Sequence, residues 1–460
     1  MSDVGTKHPD ITPQREYEWR LMRDTYAGQE QVKYASRQTG QGTSTTLASS
    51  GEIYLPKPNG FKAMPDGGRA AYEAYKLRAM LPEYVAPTVA AMVGIVHGRE
   101  TQLVVPDAMA FLEEDIDGQG TPREIFHQRI TRNLLLLGRY GLLADAPEAG
   151  GNPFLRGYSA ETIINWDDGF FVLDETYLAR NGFAWERTPR YRVLEIVDGR
   201  YQVSIYEGEG DLVSQAQPVA RGGAPVDMLP FVVATSRDLV ADVETPPLIG
   251  VAQAAIAAYQ LSADYRHQLY MSGQETLVAI NGDAPQAVGA GVVHTMKGTS
   301  DLQPDLKYVS PTCSGIEAHR TAISEQRQAA MEAGARMFQS GNAQESGEAR
   351  RMRFASEMAN LQSIANMSAA LLESGLRHVA AFMGLDPREV VATPPADLLD
   401  RSMNAQEYER LFSIYERGGM SWQTYYENGQ RGGIMSAERT AEDEFDLVEN
   451  PVNREGNALL

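Results

Sequence analysis

Cysteine is nearly absent from the 460 residues. Cys313 stands alone, so no intrachain disulfide can form, and a cytosolic site of synthesis is expected. Positive charge is scarce as well: 41 Lys plus Arg face 61 Asp plus Glu, a formal net charge of -20. A protein that grips nucleic acid through a basic footprint has the opposite balance. Long apolar runs are missing too. Val85 to Val96 and Leu248 to Leu261 are shorter than the roughly 20 residues a membrane span needs, and both read as core or interface helices. Met1 to Asp10 has no apolar stretch behind a basic start, so no secretory signal is expected.

Catalytic signatures are equally thin. The seven histidines His8, His97, His127, His267, His294, His319 and His378 are scattered singly, which predicts no zinc centre, no other metal site and no cofactor. Gly289-Ala-Gly291 lacks the third glycine of a dinucleotide fingerprint, and no Gly-Lys-Ser/Thr occurs. Cys313, beside Pro311 and Thr312, has no activating base in sequence and reads as an inert thiol.

Hydrophobic content of 43% and charged content of 22% exclude disorder over most of the chain, which is long enough for several cores. Trp19, Met22 and Tyr26 at helical spacing open the chain, and a small polar tract at 39–51 reads as a flexible loop. Helical patterning resumes from Tyr72 to Val96, with Pro82 and Pro87 expected to break it. Thr121-Pro-Arg-Glu124 predicts a capping box ahead of Ile125, Phe126 and Ile130.

From Phe170 to about Thr235 the period becomes two, and Asp198-Gly199 predicts a hairpin turn. A helix is expected from Leu248 to Met271, strand-like pieces at Thr276 to Ile280 and Gly291 to Thr295, and a second helix from Ile316 to Phe338. From Ser346 to Met383 a stripe including Phe354, Met358, Leu361, Ala365, Ala369, Leu372, Leu376 and Val379 predicts a helix about 57 Å long. Smaller helices follow around Tyr408 to Tyr415 and Trp422 to Tyr426, and the acid-rich end from Glu438 to Glu449 reads as a mobile tail. The fold class is α+β, mainly α.

Two charged clusters invite chemistry. Asp115, Asp117 and Gly120 match the start of a calcium loop, but Arg123 and Phe126 occupy the positions where it needs further ligands. Glu113, Glu114, Asp115 and Asp117 could hold a metal for hydrolysis, and a soluble metal-dependent hydrolase is the alternative function. A solvated acidic face is the simpler expectation. Arg350, Arg351 and Arg353 form the densest basic spot; they could touch phosphate or pair with Glu345, Glu348 and Glu357 at helical spacing.

Several segments, in order, carry a resemblance: Tyr54-Leu-Pro-Lys-Pro58, Gly118-Gln-Gly-Thr121, Gly138-Arg-Tyr-Gly-Leu-Leu-Ala-Asp145, Ser159-Ala-Glu-Thr-Ile-Ile-Asn-Trp166, Leu229-Pro-Phe231, Pro246-Pro-Leu248 and Ser262-Ala-Asp-Tyr-Arg-His267. With the element order, they resemble the portal proteins of tailed double-stranded DNA bacteriophages, in particular those of short-tailed phages. The resemblance implies a non-enzymatic ring of twelve copies at one capsid vertex, through which terminase packages DNA and from which DNA is later ejected. It implies a wing over 1–246 with a β-rich insert at 170–236, stem helices at 247–272 and 314–338, and a clip at 273–313. A tunnel loop at 339–345, a long helix at 346–384, a crown at 385–436 and an acidic tail at 437–460 complete the set.

The implied partners are other copies of the chain, the terminase large subunit, a head-tail adaptor, the major capsid and scaffolding proteins, and DNA held without sequence specificity. The implied location is the virion, after synthesis in the host cytoplasm, with no membrane contact. Gln339, Ser340, Gly341, Asn342, Ala343, Gln344 and Glu345 would face DNA. Lys297 and Lys307 would lie in the clip, open to DNA, terminase or adaptor, and Arg350, Arg351 and Arg353 would lie near the channel. A constriction without a cation suits sliding, because each Lys or Arg contact to phosphate adds a barrier.

Overall fold

Thr12 and Pro13 start the first helix. The Thr12 hydroxyl accepts from the Arg15 N–H at 3.3 Å and the proline sits where no donor is needed, so α1 runs Pro13–Ala27. Gly28, at φ 99°, turns the chain into α2 (Gln29–Tyr34). Trp19, Leu21 and Met22 are buried, and the Trp19 indole N–H donates to the Leu137 carbonyl at 3.0 Å. The structure is a computed structural model that describes residues 3–35, 51–146, 151–208, 210–273, 276–282, 285, 287, 295–299, 301, 303–309, 315–334, 347–395, 398, 405–431, 433–435 and 439–449. For 276, 347–359, 405, 407, 431, 448 and 449 it describes the backbone alone. Most of the polar tract at 39–51 therefore lies outside the described residues.

Helices α3 (Asn59–Lys62), α4 (Arg69–Arg78) and α5 (Val85–Val96) follow. Pro82 breaks the pattern between α4 and α5 as expected. Pro87 does not, because it lies in the first turn of α5, where its missing N–H has no partner to lose. After β1 (Gln102–Val104) and a 3-10 segment at Asp107–Glu113, α6 runs Arg123–Leu137. The expected capping box does not form. The N-cap is Pro122, the Thr121 side chain bonds Asp117, and Glu124 turns toward His97.

Gly138, at φ 72°, ends α6. Strands β2 (Arg139–Asp145), β3 (Phe154–Ser159), β4 (Ile163–Asp167), β5 (Phe170–Asp174), β6 (Tyr177–Asn181), β7 (Ala184–Thr188), β8 (Arg190–Val197), β9 (Arg200–Glu207), β10 (Asp211–Ala216) and β11 (Phe231–Thr235) then build the β-rich region. It begins at Arg139 rather than Phe170. Strand β2 is the centre of a three-stranded sheet, β11-β2-β3, and is buried from Arg139 to Ala144, so it shows no alternation to betray it. A five-stranded antiparallel sheet, β10-β9-β8-β5-β4, buries Ile164, Val172 and Val193. Asp198 and Gly199, at φ 49° and 74°, make the expected β8–β9 turn, and β6 and β7 form a separate hairpin.

Helix α7 (Ile249–Ser272) leads to β12 (Thr276–Ile280), whose partner is β13 (Asp305–Val309), and α8 (Ile316–Glu332) returns. The expected strand at 291–295 falls largely outside the described residues; β13 was not anticipated. The α7–α8 pair is antiparallel: a Cβ on Gly250 would lie 2.9 Å from Ala333 Cβ, and one on Gly315 would lie 3.0 Å from Gln268 Nε2 at the opposite end. Helix α8 stops at Glu332, short of Phe338, and Gly334 has φ 131°. Helix α9 (Gly347–Phe382) is 36 residues long, about 54 Å. Its stripe of Leu361, Ala365, Ala369, Leu372, Leu376 and Val379 is buried as expected. At Gly375 the helix comes so near the three-stranded sheet that a Cβ would lie 3.0 Å from Leu142 Cδ1. β14 (Val391–Thr393) pairs with β1 and ties the exit of α9 back to the N-terminal helices.

Contacts divide the chain into two units, Met1–Pro395 and Ala396–Leu460. The second holds α10 (Ala405–Glu416), α11 (Trp422–Arg431) and α12 (Ala441–Glu449). Tyr408, Phe412, Tyr415, Trp422, Tyr425 and Phe445 form a cluster of ring contacts around the buried Tyr425. The acidic end, expected to be unstructured, is helical over Ala441–Glu449. Thr440 and Asp443 cap it reciprocally: the Asp443 N–H donates to the Thr440 hydroxyl at 3.1 Å and the Thr440 N–H to the Asp443 carboxylate at 3.2 Å. The Trp422 indole anchors it, donating to the Ala441 carbonyl at 2.7 Å. Mixed helix and strand, 45% and 21%, make the fold α+β with helix the larger share.

Candidate functional site

Helix α8, the last turns of α7 and the β12–β13 hairpin are weakly covered by their own chain. The first half of α7 is core: Val251, Ala252, Ala255, Ala258 and Tyr259 are buried. Its last turns are not, with Tyr270 55% and Met271 61% exposed. Along the whole of α8 Ala330 alone is buried. The hairpin exposes Ile280, Tyr308 and Val309, and two strands without further cover are marginal in water.

Lys307 lies on β13 opposite Val278, and Lys297 lies in the connection between the two strands; both are exposed. Gln339, Ser340, Gly341, Asn342, Ala343, Gln344 and Glu345 fall outside the described residues. Arg350, Arg351 and Arg353 occupy the start of α9, with side chains outside the description. Of the sequence-predicted residues, the three arginines thus share one element, α9, while the two lysines lie on β13 and on the connection that leads to it.

The carboxylates at 113–117 are occupied by their own turn. Asp115 accepts from the Gly120 N–H at 2.8 Å, and Asp117 from the N–H groups of Gln119 at 3.1 Å and Thr121 at 3.3 Å. Glu113 pairs with Arg123 at 2.8 Å. Burial pushes the Asp117 carboxyl up, but these donors and Arg129 more than offset it and hold it below the usual range. The group folds a turn rather than converging on a metal, and nothing supports the hydrolase alternative.

Two buried polar groupings were not foreseen. In the first, Arg192 bonds Glu175 at 2.9 Å and Asp145 at 3.3 Å, and the Tyr158 hydroxyl donates to Glu175 at 2.5 Å. These residues lie on β8, β2 and β3 and in the link after β5, an adjacency that only strand pairing creates. In the second, His97 at the end of α5 meets Glu124 and His127 of α6. The expectation that the histidines stay single therefore fails. Glu124-x-x-His127 was legible as two groups on one helical face; the approach of His97 from another helix was not.

A protein-family profile matches part of the chain. It is described as "Domain of unknown function (DUF4055)" and covers residues 247–383, from Pro247 at the entry of α7 to Met383 just past α9. No curated protein matches the chain. Among solved structures, the chain is similar to one from "Neck of native GTA particle computed with C12 symmetry", at 16% identity over 77% of this chain and 90% of that chain, with a TM-score of 0.40. A second, from "Neck of empty GTA particle computed with C6 symmetry", has 15% identity, 77% and 91% coverage and a TM-score of 0.42. A third, from "Virion of native gene transfer agent (GTA) particle", has 15% identity, 83% and 97% coverage and a TM-score of 0.43. Among the described residues no helix is long and apolar enough to cross a membrane.

Proposed function

We propose that the chain is a phage portal subunit, a non-enzymatic component whose copies form a ring at one capsid vertex through which DNA enters under terminase and later leaves. The observation that carries this reading is the α7–β12–β13–α8 unit. An antiparallel helix pair whose outer half and hairpin are left so bare by their own chain is suited to burial between neighbouring copies. The ordered segments from Tyr54 to His267 that resemble portal proteins support it independently.

On this reading α7 and α8 are the stem, β12 and β13 belong to the clip, and α9 crosses from wing to crown. Lys297 and Lys307 are placed to meet terminase, adaptor or DNA, and residues 339–345 ring the DNA. The net charge of -20, repeated around a ring, keeps duplex DNA off the walls and lowers the barrier to sliding.

Negative-stain images of the purified chain test the reading: top views of a ring with a central hole are expected, and particles that stay monomeric at every concentration would overturn it. Met271→Glu provides the finer check. Burying a new carboxylate against a neighbour is costly, so the concentration needed for assembly should rise at least about tenfold. The circular dichroism of the subunit should not change, because Met271 is 61% exposed in the single chain.

A further inference from the structure

His127 is 1% exposed, and neither of its ring nitrogens has a hydrogen-bond partner among the described residues. Buried polar groups are nearly always satisfied, so an imidazole held this way is a group waiting for a ligand. Its surroundings specify which. The His97 ring stands edge-on to it, centroids 4.7 Å apart at 84°, and Glu124 lies one turn back on the same face of α6. Glu124 Oε1 is 2.8 Å from His97 Nδ1, while Glu124 Oε2 is buried and also without a partner. One ligand atom from each of His97, Glu124 and His127 lies within 4.8 Å of the others.

We propose that His97, Glu124 and His127 bind one divalent transition-metal ion, with Zn2+ the ion their two nitrogens and one carboxylate suit best. Tetrahedral coordination at about 2.0–2.2 Å sets ligand atoms about 3.4 Å apart, so from a spread of up to 4.8 Å the widest pair closes by up to about 1.4 Å and the 2.8 Å His97–Glu124 pair opens slightly, a side-chain adjustment. Glu124 is the most exposed of the three, its side chain at 37%, and gives the ion its way in.

The support around the ligands is already in place. His97 Nε2 lies 2.9 Å from the Thr131 hydroxyl, which lies 2.7 Å from the Ser368 hydroxyl on α9. With an ion on His97 Nδ1, the ring N–H would lie on Nε2, placed to donate to the Thr131 hydroxyl and so hold the ring's orientation. Arg123, whose charge would oppose a cation, is already paired with Glu100 at 2.9 Å and Glu113 at 2.8 Å. The bound ion would join the end of α5 to the first turn of α6 beside α9. The site stands apart from the channel reading, and either can fail without the other.

The test uses the full chain, stripped with a chelator and dialysed, then titrated with Zn2+ by calorimetry and counted by elemental analysis after gel filtration. One ion per chain at micromolar Kd or tighter is expected, with a rise of several degrees in Tm and, for Co2+, the intense visible absorption of a four-coordinate ion. Glu124→Gln and His97→Gln should each weaken binding at least tenfold. Both alter less buried positions than His127, so they remain informative if His127→Asn fails to fold. Substoichiometric uptake, full uptake unchanged in both variants, or the weak Co2+ spectrum of a hexaaqua ion would each overturn the proposal.

Discussion

The β2–β3 pairing that seats α9 can be tested through one glycine. Gly157 faces Leu142 across the pair, and Tyr140 lies over it: a Cβ at 157 would sit 1.9 Å from Tyr140 Oη and 2.7 Å from Cζ. Tyr140 is 3% exposed, so its ring cannot swing into solvent without vacating the core. Overpacking of this kind costs about 1–3 kcal/mol, of which the lower unfolded-state entropy of alanine returns about 0.4–1 kcal/mol. Gly157→Ala should therefore destabilise by about 1–2 kcal/mol. In a Tyr140→Ala background the obstruction is gone, and the same change should stabilise by about 0.4–1 kcal/mol. Urea unfolding of the four proteins of the cycle, followed by circular dichroism at constant m, reads the coupling directly. A coupling of about 1–3 kcal/mol is expected; additivity within about 0.5 kcal/mol would refute the register, since a slip of one residue puts Tyr140 on the other face.

Replacing Asn342 and Gln344 with Lys should leave rings assembled but slow DNA packaging, and added salt should relieve the slowing; packaging at the wild-type rate would sink the low-friction account of 339–345. Glu175 supplies a pH dependence. Burial raises its carboxyl, but Arg192, Tyr158 and Arg156 together more than offset that and hold it below the ordinary range. Its contribution is thus full above the unfolded value of about 4.3 and is lost as pH falls through the lower folded value. Glu175→Gln should cost about 1–3 kcal/mol at neutral pH and flatten the acid limb of a plot of Tm against pH; an unchanged acid limb would argue that the network does not hold in solution.

Residues that act through their neighbours along the chain were legible. Asp198-Gly199 turned as read, because the two positive φ angles are local requirements. The stripe from Leu361 to Val379 was buried as read, because a period near 3.6 places it on one face of one helix. Wherever a residue had two possible partners, tertiary structure decided. Thr121-Pro-Arg-Glu124 has the pattern of a capping box, yet Glu124 bonds His97, a partner supplied by another helix. Strand β2 escaped notice because burial on both faces removes alternation, and the acidic end folded because Trp422 and Phe445 gave α12 something to pack on. The scarcity of cysteine and cations excluded chemistries by composition alone, since no fold can create a missing residue. His97 could be brought to the Glu124–His127 pair only by the packing of α5 on α6, because distance along a chain says nothing of distance in space once helices pack.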